Sequence, residues 1–272
     1  IRDRSVSRGL GDVYKRQTQD GNDLLKWIGP QLNNNTHMNF FLLYDPYDAS
    51  IDWNALTPFF RNWGEVLINH MISDSVRAIP LVKKEEKKKK YTGTYQVEDI
   101  SELVPYGSNK EAYEKRLLEI INKLKGSASR DYYVAAFPFF NTRNALVYDL
   151  VHCTSHEVGF KLFKSTAWKT FDGKSSTKNR HGMEGQLVLD FSGNGFAKHN
   201  TDEYCYDLTD VASYVQEHFC GQKDVPLEEI WKLLDTHPVF PSDGYRKDIK
   251  KSLKDDYDAI VSKKTITFSE RK

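Results

Sequence analysis

Residues 40–48 read FFLLYDPYD, an apolar run that stops abruptly at Asp45-Pro46-Tyr47-Asp48. A run that is apolar on both faces predicts a central strand of a parallel sheet that helices cover on both sides. Ligands of open α/β sheets bind beyond the carboxyl ends of the strands. Asp45, Pro46 and Tyr47 are therefore the first candidates for a functional site. The alternative is a simple strand-ending turn with a helix-capping aspartate.

Helices and strands are expected to alternate around this run. An apolar stripe predicts a helix over residues 23–28, and residues 51–62 predict a second helix. Residues 65–72 predict another buried strand. The charge run KKEEKKKK at residues 83–90 is expected to be a solvated surface insertion. Leucines and isoleucines at helical spacing predict a helix over residues 110–124.

A hairpin is expected to close the sheet. The apolar runs 132–139 and 145–153 are separated by a short polar link, and an amphipathic helix is predicted over residues 157–171. The alternation predicts an α/β fold. A mainly parallel sheet that ends in an antiparallel strand indicates the C-terminal part of a Rossmann-like class I methyltransferase sheet, here over residues 18–172.

The character of the chain changes after this sheet. Residues 173–206 are expected to form a linker with one strand at Gln186–Phe191. Residues 207–272 predict a winged-helix domain. Its expected elements are helices over 208–219 and 226–235, a third helix that Ser242 caps and that runs to Asp256, and a two-stranded wing around Lys263-Lys264.

Further polar residues fall near the ends of the predicted strands. Asp20 and Asn22 follow the place of an earlier strand, where a polar residue commonly meets the adenine of a methyl donor; a turn or helix N-cap is the favoured alternative. Asn69, His70 and Arg77 follow the second strand and are weaker candidates for the same cleft. Cys153 and His156 are interpreted as packing and capping residues.

A permuted arrangement is a further alternative. Ser192-Gly193-Asn194-Gly195 follows an apolar run and resembles the glycine-rich loop that holds the donor in methyltransferases. Such a loop should continue into a helix and then a strand ending in an acidic residue. Residues 196–207 supply neither, so we expect a loop that leads into the C-terminal domain.

Charge and cysteine content exclude several classes of protein. With 39 basic and 38 acidic residues the formal charge is +1, so any attraction to nucleic acid must come from a local patch. Three widely spaced cysteines predict reduced thiols in a cytoplasmic protein without a metal site. No segment approaches the about 20 apolar residues that span a bilayer, so no membrane contact is expected.

Two segments carry a special expectation. Residues 1–17 resemble a translated sequencing adapter and are excluded from fold reasoning; a natural basic arm is the alternative. In the third helix and the wing, Arg246, Lys247, Lys250, Lys263 and Lys264 are candidates for nucleic-acid binding. Aspartates on the same helix dilute this charge, so protein contact or a closing lid is an equal alternative.

Taken together, the sequence resembles the three-Cys-motif partner proteins, which couple a class I methyltransferase-like domain to a C-terminal winged helix. The resemblance covers nearly all of residues 18–272. It is carried by Asp45-Pro46-Tyr47 and by segments 51–53, 67–69, 77, 146–168 (LVYDLVHCTSHEVGFKLFKSTAW) and 186–187. Asp48 departs from the family, which usually has glycine there. The family's N-terminal strands and donor-binding glycine loop are also missing, so the chain is expected to be a fragment that is inactive alone.

The resemblance implies a cofactor, a partner and roles for the site residues. The cofactor is S-adenosylmethionine, and the partner is a three-Cys-motif protein that resembles radical enzymes. Asp45 and the carbonyl of Pro46 would accept the hydrogens of an amino group, and Tyr47 would stack on the substrate base or pack against the methyl donor. Two hypotheses follow: methyl transfer to an amino nitrogen of a nucleic-acid base, or a non-catalytic module that binds nucleic acid or protein.

Overall fold

The computed structural model describes residues 20–33, 38–60, 64–107, 109–125, 132–178 and 205–270. The predicted strand at residues 186–191, the glycine-rich segment at residues 192–195 and the adapter-like residues 1–17 lie outside these ranges. The fold is α/β, with a mixed four-stranded sheet covered by helices and a smaller C-terminal unit.

The N-terminal part contains four strands and six helices among the described residues. In chain order they are α1 Gly21–Asn33, β1 Phe40–Tyr44, α2 Trp53–Phe60, β2 Gly64–His70, α3 Ile72–Ala78, α4 Glu85–Tyr95, α5 Lys110–Leu124, β3 Tyr133–Phe140, β4 Leu146–Thr154 and α6 Glu157–Thr170. Two 3₁₀ segments, Ile79–Leu81 and Ile100–Tyr106, flank α4. The predicted helices and strands of this part are confirmed to within a few residues. Residues 85–90 of the charge run form the first half of α4, and Lys83 and Lys84 precede it.

The strand order β1-β2-β4-β3 confirms the closing hairpin. β1 pairs parallel with β2, and β4 lies between β2 and β3 and is antiparallel to both. The carboxyl ends of β1, β2 and β3 therefore meet at one edge of the sheet, beside the start of β4. We call this the carboxyl edge.

The prediction that Phe40–Tyr44 is a central strand was wrong for the described part of the chain, where β1 has β2 as its one neighbour. Phe40, Leu42 and Tyr44 pack into the core, whereas Phe41 and Leu43 point the other way and are 64% and 57% exposed. This second face of β1 is therefore left uncovered by the described elements. β2 lies inside the sheet, between β1 and β4, and its Val66 and Ile68 side chains are fully buried.

Three hydrophobic clusters hold the elements together. One joins α1, α2 and α5 to one face of the sheet. A second packs α3, α4 and α5 over the carboxyl edge through Ile72, Tyr95 and Tyr113. The third fills the space between β3, α6 and the C-terminal unit, so that Phe137 and Trp168 share a core with Ile230 and Leu253.

The C-terminal unit contains three helices and a three-stranded sheet. Its elements are α7 Leu208–His218, β5 Val225–Pro226, α8 Leu227–Thr236, α9 Arg246–Tyr257, β6 Ile260–Val261 and β7 Thr265–Thr267, with strand order β5-β7-β6. The three helices and the β6–β7 hairpin match the predicted elements; the pairing of β5 was not foreseen. The predicted Ser242 cap was wrong. α9 begins at Arg246, and the Ser242 hydroxyl donates to Asp235 instead.

The two described ends of the linker are bound to each other. The Ser175 amide donates to the Tyr206 carbonyl at 2.9 Å, and the Tyr206 amide donates to the Ser175 hydroxyl at 2.9 Å. The Phe140 amide donates a hydrogen bond of 2.6 Å to the Thr177 hydroxyl. These bonds fix the start and the end of the linker beside the tip of β3.

Candidate functional site at the carboxyl edge

Asp45 follows β1 and lies at the carboxyl edge, where the sequence placed it. Its carboxylate is exposed, and Oδ1 accepts a hydrogen bond of 2.8 Å from Nδ2 of Asn69, at the end of β2. Asn69 was a weaker candidate for the same cleft, and the structure brings the two residues together. The bond orients one carboxylate oxygen and leaves the other open to an incoming hydrogen-bond donor.

The loop after Asp45 is held by a local turn. The Asp48 carboxylate accepts from the Ser50 amide at 2.8 Å and also from the Ser50 hydroxyl. This aspartate takes the place of the glycine of the resembling family, and it shapes the loop through side-chain to main-chain bonding. Pro46 is half-buried, and Tyr47 is fully exposed at 105%. The Tyr47 ring is therefore presented to solvent two residues after Asp45.

Asn22 and Asp20 have separate roles at the start of α1. The Tyr44 hydroxyl donates to Asn22 Oδ1 at 3.1 Å and accepts from the Asp52 amide at 3.1 Å, which fixes the start of α1 against the end of β1. Burial raises the pKa of Tyr44, so the phenol stays protonated. Asp20 accepts from the Asn22 amide at 2.8 Å, the N-cap alternative favoured from the sequence.

His70 lies beneath the carboxyl edge and is fully buried, so it does not line the cleft as the sequence suggested. Its Nε2 atom is 3.0 Å from the Tyr95 hydroxyl, which also contacts the Ser75 hydroxyl at 2.6 Å. Burial lowers the pKa of His70 to about 3 and raises that of Tyr95. His70 is thus a neutral, structural imidazole.

Asp149 lies opposite His70 in the β2–β4 register and was missed by the sequence analysis. It is fully buried, and neither carboxylate oxygen has a hydrogen-bond partner among the described residues. Burial, and then the nearby charge of Glu114, raise its pKa well above the usual range. The signal was available, because an aspartate interrupts the apolar run ALVYDLV.

A depression of about 450 Å³ opens beside this edge, between α3 and α4. It was not foreseen, although Arg77 was a candidate. Arg77, Lys83, Lys84 and Lys87 line it together with apolar side chains that include Leu81 and Tyr91. The charge run expected to be solvated surface therefore forms one wall of a concave site, which we call the basic groove.

The basic residues of the C-terminal unit differ in their freedom to bind a ligand. Arg246 donates to Asp243 at 2.8 Å, and its guanidinium lies 5.4 Å from the centre of the Trp231 ring. Lys247, Lys263 and Lys264 are exposed, and Lys250 is half-buried. Arg246 is thus engaged within its own unit, and among the five candidates Lys247, Lys263 and Lys264 are the exposed charges.

The cysteines and the metal-ligand residue types form no cluster among the described residues. Cys153, Cys205 and Cys220 form no disulfide in the described part of the chain, and burial raises the pKa of Cys153. His156 occupies the N-cap position of α6. Within the described ranges, no three histidine, cysteine, aspartate or glutamate side chains cluster as metal ligands would. No described helix is long and apolar enough to cross a membrane.

Comparison with protein-family models, curated proteins and solved structures finds no match to this chain. Its interpretation therefore rests on the geometry of the carboxyl edge, the basic groove and the resemblance seen in the sequence.

Proposed function

We propose that this chain belongs to a methyltransferase-like protein that transfers a methyl group from S-adenosylmethionine to an amino nitrogen of a nucleic-acid base. The observation that carries the proposal is the Asp45–Asn69 pair beside the exposed ring of Tyr47. It puts an oriented carboxylate and a stacking surface at the carboxyl edge, where α/β sheets bind their ligands.

The sheet topology supports this proposal. A parallel pair followed by an antiparallel closing hairpin is the arrangement that the class I methyltransferase resemblance implies. The order helix, strand, helix, helix, strand, strand in the C-terminal unit supports its assignment as a winged helix. Both features favour membership of the three-Cys-motif partner family, with a radical-enzyme-like protein as partner.

The residues near the edge fit the methyl donor in part. Asn22 is half-exposed near the end of β1. Its side-chain oxygen Oδ1 accepts from Tyr44, and its side-chain nitrogen Nδ2 remains a donor for an adenine ring. Asp20 fits less well, because its carboxylate is used as the cap of α1. When bound, S-adenosylmethionine supplies an electrophilic methyl group.

The chain's own residues would position the acceptor. The open oxygen of Asp45 and the carbonyl of Pro46 would each accept a hydrogen bond from the amino group, which turns the nitrogen lone pair toward the methyl carbon. Asn69 keeps the carboxylate in place, and Tyr47 stacks on the base. As the new carbon–nitrogen bond forms, the methyl carbon would leave the donor sulfur, which keeps the electron pair as a neutral thioether, and the excess amino proton would pass to Asp45 or to water.

The test is donor binding, measured by titration calorimetry with S-adenosylmethionine. In the resembling family the glycine loop lies upstream of the region matched here, so the 272-residue chain is compared with the product of the gene extended upstream of residue 18. Binding by the extended protein supports the proposal. A folded extended protein that binds no donor rules out methyl transfer.

A non-catalytic binding module is the second candidate. It is favoured by the exposed Lys247, Lys263 and Lys264 on a unit that shares a hydrophobic core with α6 and β3. An upstream sequence without a strand, a glycine-rich loop and an acidic strand end would favour the module over the enzyme.

A further inference from the structure

The basic groove adjoins the loop of Asp45–Asp48. α4, which forms one wall of the groove, is attached to the residues after this loop: the Ile51 amide donates to the Thr94 hydroxyl at 2.9 Å, and Trp53 Nε1 donates to the Thr94 carbonyl at 2.7 Å. Lys90 Nζ lies 3.8 Å from an Asp48 carboxylate oxygen. A ligand in the groove can therefore reach the carboxyl edge.

The charges in the groove are mainly unpaired cations. Arg77 is bound to Asp74, which is the one carboxylate in the lining. Lys83, Lys84 and Lys87 are exposed, and none of them forms an ion pair with another described residue. Four cations against one carboxylate give the lining a net charge of +3, which selects an anion.

The shape and the apolar part of the lining restrict the kind of anion. Leu81 is 77% exposed at the groove, and Tyr47, on the adjoining loop, is fully exposed. Cations that track a backbone, combined with aromatic and apolar surface, are characteristic of single-stranded nucleic-acid binding. A membrane surface would instead favour a convex patch that can enter the lipid headgroups.

We propose that the basic groove binds the phosphodiester backbone of a single-stranded nucleic acid. Phosphates lie on Arg77, Lys83, Lys84 and Lys87, and a base reaches Tyr47. This inference rests on the proposed function for the identity of the substrate. It also assigns the strand to this groove rather than to the basic residues of the C-terminal unit.

The experiment measures fluorescence anisotropy of a labelled single-stranded oligonucleotide of about 12 nucleotides with the complete 272-residue chain, without S-adenosylmethionine. The groove variant is K83Q/K84Q/K87Q, and the matched control is K247Q/K263Q/K264Q, which removes three exposed lysines from the C-terminal unit. All six residues are exposed, so both variants should keep the fold, which a thermal melt checks.

The groove variant should bind at least about 10-fold more weakly, and the slope of log affinity against log salt should fall by about 2, since each single-strand phosphate contact contributes about 0.7. The control should stay within about two-fold of the unmodified chain. Equal affinity of the groove variant, a loss confined to the control, or binding to anionic phospholipid vesicles but not to the oligonucleotide would overturn the inference. Failure of donor binding would leave this result unaffected, so the two proposals fail separately.

Discussion

Asn69 and Asp45 are joined by a 2.8 Å hydrogen bond between the ends of two parallel strands. The two residues are 24 positions apart in the chain, and the parallel pairing of β1 with β2 brings them together. The bond makes Asn69 a positioning residue for Asp45, and it turns an exposed carboxylate into one with a defined orientation.

Substitution of Asp45 should separate its acceptor role from its charge. In the extended protein, Asp45→Asn should retain part of the methyl transfer, because its one side-chain oxygen has two lone pairs and can accept from both Asn69 and the substrate amine. Asp45→Ala should lower the rate about 100-fold through loss of orientation. The measurement is the initial rate of methyl incorporation into an oligonucleotide, with donor binding as the control for folding. An Asp45→Ala protein of normal rate would contradict the assigned role.

Two glycines should respond in opposite directions to the addition of a methyl group. A Cβ at Gly64 would overlap the Phe40 ring across the β1–β2 pair, so Gly64→Ala should cost about 1–3 kcal/mol of unfolding free energy. Gly93 lies inside α4 with open space around it, and Gly93→Ala should stabilise by about 1 kcal/mol. Urea unfolding of both proteins tests this pair. Equal stabilities would show that β1 does not pair with β2 in this register.

The sequence predicted which segments form helices and strands better than it predicted which strands lie next to each other in the sheet. α5 was foreseen because its apolar residues recur at helical spacing, and the β3–β4 hairpin because a polar link separates two apolar runs. The position of β1 was not foreseen. An apolar run such as FFLLY has the same composition in a central strand and in an edge strand, and only the neighbouring strands distinguish them.

The candidate site was predicted in part for a similar reason. Asp45 and Asn69 each follow a predicted strand, so their proximity could be inferred from parallel pairing. The basic groove could not, because it requires α4 to fold back against α3 after a 3₁₀ segment. The buried contacts of His70 with Tyr95 likewise depend on packing between elements 25 residues apart.

The buried histidine should make stability depend on pH in a defined direction. The folded pKa of His70 is about 3, below its ordinary 6.5, so the unfolded chain binds more protons between these values. Stability from this group is present above pH 6.5 and is lost as the pH falls toward 3, by about 1.5 kcal/mol between pH 6.5 and 5. Asp149 opposes the trend, because its raised pKa favours the folded state at low pH.

His70→Phe isolates the histidine, since it keeps the ring packing against Tyr95 and removes the titrating group. Urea unfolding at several pH values should show that the variant loses less stability than the unmodified chain on acidification from pH 6.5 to 5. Parallel pH profiles for the two proteins would show that His70 is not the buried neutral imidazole described here.

One buried lysine adds a polar contact to the apolar core between α6 and the C-terminal unit. Nζ of Lys164 lies 2.7–3.0 Å from the carbonyl oxygens of Leu234, Asp235, His237 and Phe240, around the end of α8, and its three N–H donors are shared among these four acceptors. Burial lowers the pKa of Lys164 to about 7, and in its protonated form the side chain complements the unpaired carbonyls at the helix C-terminus. Lys164→Met should therefore leave buried carbonyls without a donor and cost about 3 kcal/mol.

Lys161 provides the matched control on the same helix. It is partly exposed, and its ion pairs with Glu157 and Asp235 lie at 3.1 and 3.4 Å, so Lys161→Met should cost about 1 kcal/mol or less. Urea unfolding followed by tryptophan fluorescence compares the two variants, because Trp168 and Trp231 report on the shared core. If both substitutions cost the same, the carbonyl cluster does not hold the C-terminal unit to the sheet. A larger loss for Lys164→Met would show that the buried amine adds to the apolar core in holding the C-terminal unit against α6.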